Sequence, residues 1–391
     1  MELQTPYYVI NKNELDKSIS LLNDSLRMYW DNYIVGYSYK TNSLPWIIKY
    51  FQKQGCYAEV VSEDEYELAK LIYGNLNHII YNGPIKTKES FLEALRNGCY
   101  VNIDSQREIY WLDDLEMKEL YKIGLRVNFD IEKDCPNQSS GGTKGGRFGF
   151  CYENGELEKA IKDVKHRGLS VTGLHVHISS KTRAVDIYKA SSKKICEIVK
   201  RYGLKLDYVD IGGGFFGGLN DKPQFVDYFK VVSQELRSVF DPKHTELIVE
   251  PGMSLIGSPV RYITSVIDVK DTTYGRFVVT DGSRTSIDPL MRKSGYFHKL
   301  KYLKEKKNII PQQIIVGYTC MEDDRLIEVK NGRELSIGDQ IIYDKVGAYT
   351  MCLTPLFIRY FPDVYLEDEN GLTRVRKKWT PVDYVQSSIL E

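Results

Sequence analysis

Ile34-Val35-Gly36-Tyr37-Ser38-Tyr39-Lys40-Thr41-Asn42 is a short β-branched and aromatic run that ends in a cation. Such a run reads as a strand. Lysine is depleted in buried strands because its ammonium is costly to desolvate without a partner. Working outward, a helical stretch, Glu14 to Arg27, comes before the run and another, 44–54, follows it. The alternation then persists through strand 57–61, helix 63–73, strand 78–81, helix 87–97, strand 100–103, helix 106–113 and strand 123–128. It continues with helix 153–166, strand 171–178, helix 183–202, strand 208–211, helix 223–239 and strand 247–250. Short apolar strands alternating with amphipathic helices predict a parallel sheet covered on both faces. About eight such units place the chain in the α/β class and fit a closed (β/α)8 TIM-like barrel over 12–255 better than an open sheet.

Past residue 255 the texture changes. Strand-like runs crowd together at Val260 to Val269, Arg276 to Thr280, Ile314 to Tyr318, Ile341 to Tyr343 and Leu356 to Tyr360. Turn clusters such as Lys330-Asn331-Gly332 and Ile337-Gly338-Asp339 separate them. This predicts a C-terminal all-β domain, sandwich- or barrel-like, over 256–391. The strand Tyr7-Tyr8-Val9-Ile10 has no barrel role and is expected to pair into it, so that 1–11 belongs there too. The polar, glycine-rich segment Asn137 to Gly146 reads as a mobile loop beside the barrel mouth.

Composition narrows the function. The 391 residues carry 53 basic and 53 acidic side chains, so there is no electrostatic footprint for nucleic acid or an anionic membrane. No apolar run reaches bilayer length, and Met1 to Pro6 lacks the regions of a signal peptide. Seven scattered cysteines, with no pair at metal-knuckle spacing, predict reduced thiols, no metal site and a cytoplasmic location.

In a parallel barrel the reactive groups lie at the C-terminal ends of strands. Lys40 ends the first strand, where burial would lower the amine pKa and suit it to form an imine with an aldehyde cofactor. His175 and His177, two apart in Gly173-Leu174-His175-Val176-His177-Ile178-Ser179-Ser180, point to the same side of a strand. Asp210-Ile211-Gly212-Gly213-Gly214-Phe215 offers backbone amides to an anion, with a following helix start to add positive potential. Glu250-Pro251-Gly252 closes the last strand. Alone, each has a bland reading: a structural lysine, a packing histidine pair, a loop, a turn. Together, in order, they suit a phosphate-bearing aromatic aldehyde, with lysine for the imine, histidine for the ring, glycines for phosphate and glutamate for a ring nitrogen.

At this point the chain resembles the pyridoxal-phosphate decarboxylases of the alanine-racemase-like (fold type III) class, the group of diaminopimelate and ornithine decarboxylases. The resemblance rests on Tyr39-Lys40-Thr41-Asn42, Gly55 to Ser62 with Glu65, Tyr81 to Lys86, Asn102 to Ser105, Arg147-Phe148-Gly149 and the motifs above. Cys320 in Gly317-Tyr318-Thr319-Cys320 and Tyr349 in Gly347-Ala348-Tyr349 extend it into the β domain. It implies pyridoxal 5'-phosphate, an amino-acid substrate and a homodimer with active sites at the interface. Lys40 would hold the cofactor as a Schiff base, Glu250 would pair with the pyridine nitrogen and His177 would stack on the ring. Ser180, Gly213, Gly214 and Tyr349 would hold the phosphate, with Gly252 beside them, and Glu59 and Arg126 would support lysine and ring. Cys320, from the partner subunit, would protonate Cα.

The departures concern substrate. Diaminopimelate decarboxylases resembling this chain follow Glu-Pro-Gly with an arginine for the distal carboxylate; here the residue is Met253. A second family arginine, before a proline, corresponds to Asp288. Losing both clamps costs several kcal/mol of carboxylate recognition, at about 1.5–3 kcal/mol per charged hydrogen bond. The sequence therefore argues against diaminopimelate and for an amine-bearing tail, up to a conjugate of secondary metabolism. Asp288, Arg292, Glu322 and Asp323 are the candidate tail contacts, with Arg284, Lys293 and Asp324 nearby. Two other readings share the fold: an amino-acid racemase, and a catalytically silent homologue that regulates a relative.

Overall fold

A computed structural model describes residues 3–116, 120–305, 308–386 and 388–389. Contacts divide it into two units, one formed by the residues before 18 and after 254, the other by Ser18–Ser254. The outermost predicted bounds, at residues 1 and 391, lie outside the described residues.

In the second unit eight parallel strands follow one another around a closed ring: Tyr33–Ser38, Tyr57–Ser62, Ile79–Ile85, Tyr100–Ile103, Lys122–Asn128, Gly173–His175, Tyr208–Asp210 and Glu246–Val249. Pairing of the last strand with the first closes it. The helices between them present apolar faces inward; Lys88–Arg96, for example, buries Phe91, Leu92, Ala94 and Leu95. Its amide end is capped by Thr87, whose hydroxyl accepts from the Ser90 N–H.

The barrel interior is filled by Ile34, Ile80, Tyr100, Tyr208 and Ile248. Tyr100 and Tyr208 meet edge to face at 5.1 Å. Tyr208 reaches across because its neighbours have no side chain: a Cβ on Gly173 would lie 2.1 Å from its ring, and one on Gly124 would lie 2.3 Å from its hydroxyl. Side chains two residues apart on a strand share a face. The inward position two residues after each of these apolar groups is therefore also inward, and there the polar residues begin.

Among the described residues the first unit is a mixed set of nine strands. Tyr7–Asn11 pairs antiparallel with Val260–Thr272 and parallel with Asp363–Asp368, so the N-terminal strand joins the β domain as expected. Tyr8, Tyr262 and Tyr343 form its core, with ring centroids 4.6 and 6.4 Å apart. Two strand expectations fail. Leu356 to Tyr360 is irregular: Ile358 has φ 68° and Pro355 and Pro362 flank the segment, so the strand begins only at Asp363. Lys330-Asn331-Gly332 is no separating turn but the end of strand Arg325–Arg333, with Asn331 at φ 48° opposite Pro311.

Candidate active site

The site grows out of the barrel strands. Two residues beyond Gly36, Tyr57, Ile80, Tyr100, Gly124, Gly173, Tyr208 and Ile248 stand Ser38, Glu59, Asn82, Asn102, Arg126, His175, Asp210 and Glu250. All of these polar residues are buried. A cavity of about 640 Å³ opens above them; its lining includes Lys40, Glu59, Asn82, Arg126, His175, His177, Ser180 and Glu250. The loop 137–146 contributes Ser140, Gly141, Gly145 and Gly146, as its position in the sequence suggested.

Lys40 lies two residues past its strand, in a single turn, Tyr39–Thr41. Its side chain is 38 % exposed, so it is not the buried amine expected at the strand end. Nζ is 2.7 Å from Oε2 of Glu59, whose side chain is 1 % exposed. Glu59 also accepts from Ser38 Oγ and, at 3.0 Å, from Asn82 Nδ2. Asn82 donates in turn to Glu250, so one amide bridges the two carboxylates. Asn102 holds Asn82, donating to its Oδ1 at 2.8 Å, and donates to Asp210 at 3.1 Å. Tyr208 donates to Asn102 at 3.0 Å, which anchors the whole network on the apolar floor.

Burial pushes the Asp210 carboxyl up, and the Glu250 charge adds to it. Burial alone would also raise Glu250, but His175, Asp210 and Lys40 together hold it well below the usual carboxylate range. The two carboxyls are thus shifted in opposite directions, Asp210 toward its neutral form and Glu250 toward the anion that faces the cavity. His175 Nε2 is 3.6 Å from Glu250, and neither ring nitrogen of this buried histidine has a hydrogen-bond partner.

His177 is held at the rim. Its Nδ1 accepts from the Gly213 N–H at 3.0 Å, so the ring proton is on Nε2, 2.9 Å from Ser180 Oγ. Burial, reinforced by Lys40 and Arg126 against the opposing pull of Glu250, keeps this imidazole neutral. The Gly212 N–H bonds Asp210 Oδ1 at 2.9 Å, leaving the Gly214 N–H as the remaining amide of the run. Side chains cannot be added here: a Cβ on Gly213 would lie 2.0 Å from the Glu250 carbonyl oxygen, and Gly214 has φ 92°. The helix expected from residue 223 begins at Phe225, eleven residues past Gly214. Gly252 lies outside the cavity lining; without a Cβ it packs on Thr41, whose Oγ1 a side chain would meet at 2.1 Å. Arg126 lies over the Phe148 ring, 4.6 Å away, and pairs with Asp104 at 3.4 Å.

The remaining candidates lie in the β unit. Cys320 is exposed, and Tyr349 is half-exposed with φ 55°. Asp288 does not offer a free carboxylate. It is 4 % exposed and accepts from Arg284 at 3.3 Å, Tyr296 at 3.1 Å and the N–H groups of Arg292 and Lys293 at 3.1 and 2.9 Å. It staples the loop, and its charge is already met. Asp324 is likewise internal, accepting from Ser283, Thr319 and the Arg284 N–H. Glu322, Asp323 and Arg292 are exposed.

Asn82, Asp210, Ser38 and Asn102 had no role in the sequence reading. The available signal was a polar residue near the end of an apolar strand.

An amine, a carboxylate and a neutral imidazole around one cavity, with the glycine run 212–214 outside its lining but bonded to His177, are a donor set for pyridoxal 5'-phosphate, and the residues present fit it. Residues 14–257 match the family described as pyridoxal-dependent decarboxylase, pyridoxal binding domain. The chain is 26% identical over 404 residues to a diaminopimelate decarboxylase of Methanocaldococcus jannaschii, covering 99% of this chain and 91% of the relative. A crystal structure of diaminopimelate decarboxylase from that organism superposes with a TM-score of 0.87 at 24% identity, covering 100% of this chain and 93% of the other. A lysine/ornithine decarboxylase of Vibrio vulnificus, complexed with putrescine, gives 0.71 at 20% identity, over 90% and 91% of the two chains. Among the described residues no helix is long and apolar enough to cross a membrane.

Proposed function

Because the chain belongs to the pyridoxal-dependent decarboxylases and acts on an amino acid with pyridoxal phosphate, we propose that its substrate carries an amine, not a carboxylate, at the end of its side chain. The observation that carries the cofactor assignment is the continuous chain Lys40–Glu59–Asn82–Glu250 across one cavity. When bound, pyridoxal phosphate supplies the electron sink for the pair left as CO2 departs. Lys40 would hold the aldehyde, with Glu59 keeping the amine in place. Anionic Glu250 would face the ring nitrogen and keep it protonated, with Asp210 and Asn82 fixing its oxygens. Neutral His177 would lie against the ring, oriented by Gly213. Ser180 and Gly214 would take the phosphate, and Arg126 would support the ring. Cys320, exposed in the β unit, would come from a second protomer and deliver a proton to Cα.

The substrate reading is supported by the exposed acids Glu322 and Asp323, two and three residues beyond Cys320. With Asp288 engaged internally, these two acids are the amine contacts. The test is CO2 release from lysine, ornithine, arginine and diaminopimelate. The amine-tailed monocarboxylates should exceed diaminopimelate in kcat/KM by roughly tenfold or more, the worth of one charged contact. Diaminopimelate as the best substrate would overturn the reading. Loss of visible imine absorption in Lys40→Ala checks the cofactor assignment separately.

A further inference from the structure

The glycine run proposed for the phosphate has few amide donors left. Two of the three glycine N–H groups are engaged, by Asp210 and His177, and the next helix starts only at Phe225. A phosphate monoester brings a charge near −2. A cation, Arg183, is tied to the turn that carries Ser180. It follows Ser180 by three residues, and its N–H donates to the Ser179 carbonyl at 3.1 Å. Its guanidinium lies 5.0 Å from the centre of the Phe216 ring, two residues past Gly214, and 3.3 Å from the Met253 sulfur. The same loops are packed against one another here, since a Cβ on Gly217 would lie 2.0 Å from the Ser254 carbonyl oxygen.

The backbone at Arg183 is held firmly. Tyr228 donates to its carbonyl at 2.7 Å, while Tyr188, whose ring is 4.9 Å from that of Tyr228, donates to the Gly213 carbonyl at 2.8 Å. Two touching tyrosines thus fix Arg183 and the glycine run relative to each other. Arg183 also keeps a left-handed backbone, φ 57°, a conformation that glycine adopts without penalty. The other cation near Phe216, Lys222, is 6.0 Å from the ring and pairs with Asp221.

We propose that Arg183 is a cofactor-binding residue, its guanidinium neutralising the phosphate group of pyridoxal 5'-phosphate beside Gly214 and Ser180. The inference rests on the assignment of Ser180 and Gly214 to the phosphate. The guanidinium is partly held in place by the Met253 thioether, a weak acceptor that a phosphate oxygen outcompetes.

The test is binding to the apoprotein, with pyridoxal 5'-phosphate and phosphate-free pyridoxal as paired probes. R183Q should weaken the phosphorylated probe roughly tenfold or more and leave pyridoxal within about twofold. R183K should retain part of the difference, and adding M253R to R183Q should recover it by returning a cation to the same corner. Equal weakening of both probes, or no weakening of either, overturns the proposal. So does an unchanged cofactor Kd with a raised KM for substrate, which would assign Arg183 to a substrate carboxylate instead. S180A separates the two layers: if it lowers the preference for the phosphorylated probe while R183Q does not, only Arg183 is wrong. If neither variant changes that preference, the corner itself is misassigned.

Discussion

At the residue scale, the site turns on an uncharged side chain. Asn82 serves Glu59 and Glu250 with one amide group, and Asn102 holds its oxygen so that the nitrogen faces both acids. Asn82→Leu removes a donor from two buried carboxylates at once. Each bond to a charged group is worth about 1.5–3 kcal/mol. The variant should therefore bind cofactor through Lys40 but lose roughly tenfold to a thousandfold in kcat, read by steady-state kinetics beside an intact visible spectrum. Wild-type kcat in Asn82→Leu would reduce Asn82 to packing.

Glu65 stands behind this pair, accepting from the Val61 N–H at 2.9 Å. Burial, then the neighbouring Glu59 charge, raises its carboxyl from 4.5 to about 7. A raised acid binds its proton more tightly folded than unfolded. Stability from this group is therefore fully present below about pH 4.5 and is lost as pH rises toward 7. Glu65→Gln keeps the neutral shape and removes the titration. Denaturant midpoints should then fall less between pH 5 and 8 in the variant than in wild type, by on the order of 2 kcal/mol. Parallel pH profiles would show that Glu65 is not perturbed.

At the element scale, the decisive device is the two-residue repeat of a strand. Tyr208 and Asp210, Ile248 and Glu250, Ile80 and Asn82 each place a packing group and a reacting-site group on one face, one layer above the other. This is why the barrel and the ring of Lys40, His177 and Glu250 were legible: apolar strands ending in polar residues repeat along the chain at the spacing of a βα unit. What was not legible depends on contacts across the ring. No spacing says that Asn82 sits between Glu59 and Glu250, or that Asp210 and Glu250 are shifted in opposite directions. Asp288 misled for the converse reason. Arg284, four residues before it, and Tyr296, eight after, fold onto its carboxylate and make it a loop staple.

The floor gives this scale its test. A methyl at Gly124 would lie 2.0 Å from Asn102 Oδ1 and 2.3 Å from the Tyr208 hydroxyl. At Gly295 no described atom comes within 4 Å. Gly124→Ala should cost about 1–3 kcal/mol by overpacking and weaken cofactor binding through the displaced Asn102, while Gly295→Ala should stay within about 0.5 kcal/mol. Chemical denaturation of the two variants decides it, and equal midpoints would mean that the floor yields freely.

At the scale of the whole molecule, the groups proposed to react are divided between the two units. Lys40, His177 and Glu250 belong to the barrel unit, whereas Cys320 belongs to the β unit, where its thiol is exposed. An exposed thiol on a separate unit can serve a neighbour's cavity, and two copies related by a two-fold exchange the same contact in both directions. The homodimer proposal then has an arithmetic consequence. Lys40→Ala and Cys320→Ala homodimers should each be nearly inactive for correct decarboxylation. Dissociated, mixed in equal amounts and reassociated at random, half of the dimers would be mixed, and each mixed dimer would hold one site with both residues and one with neither. Activity should return to about a quarter of wild type. No recovery on mixing, with exchange verified by differential tagging, would place Cys320 in the same protomer's site or outside the reaction.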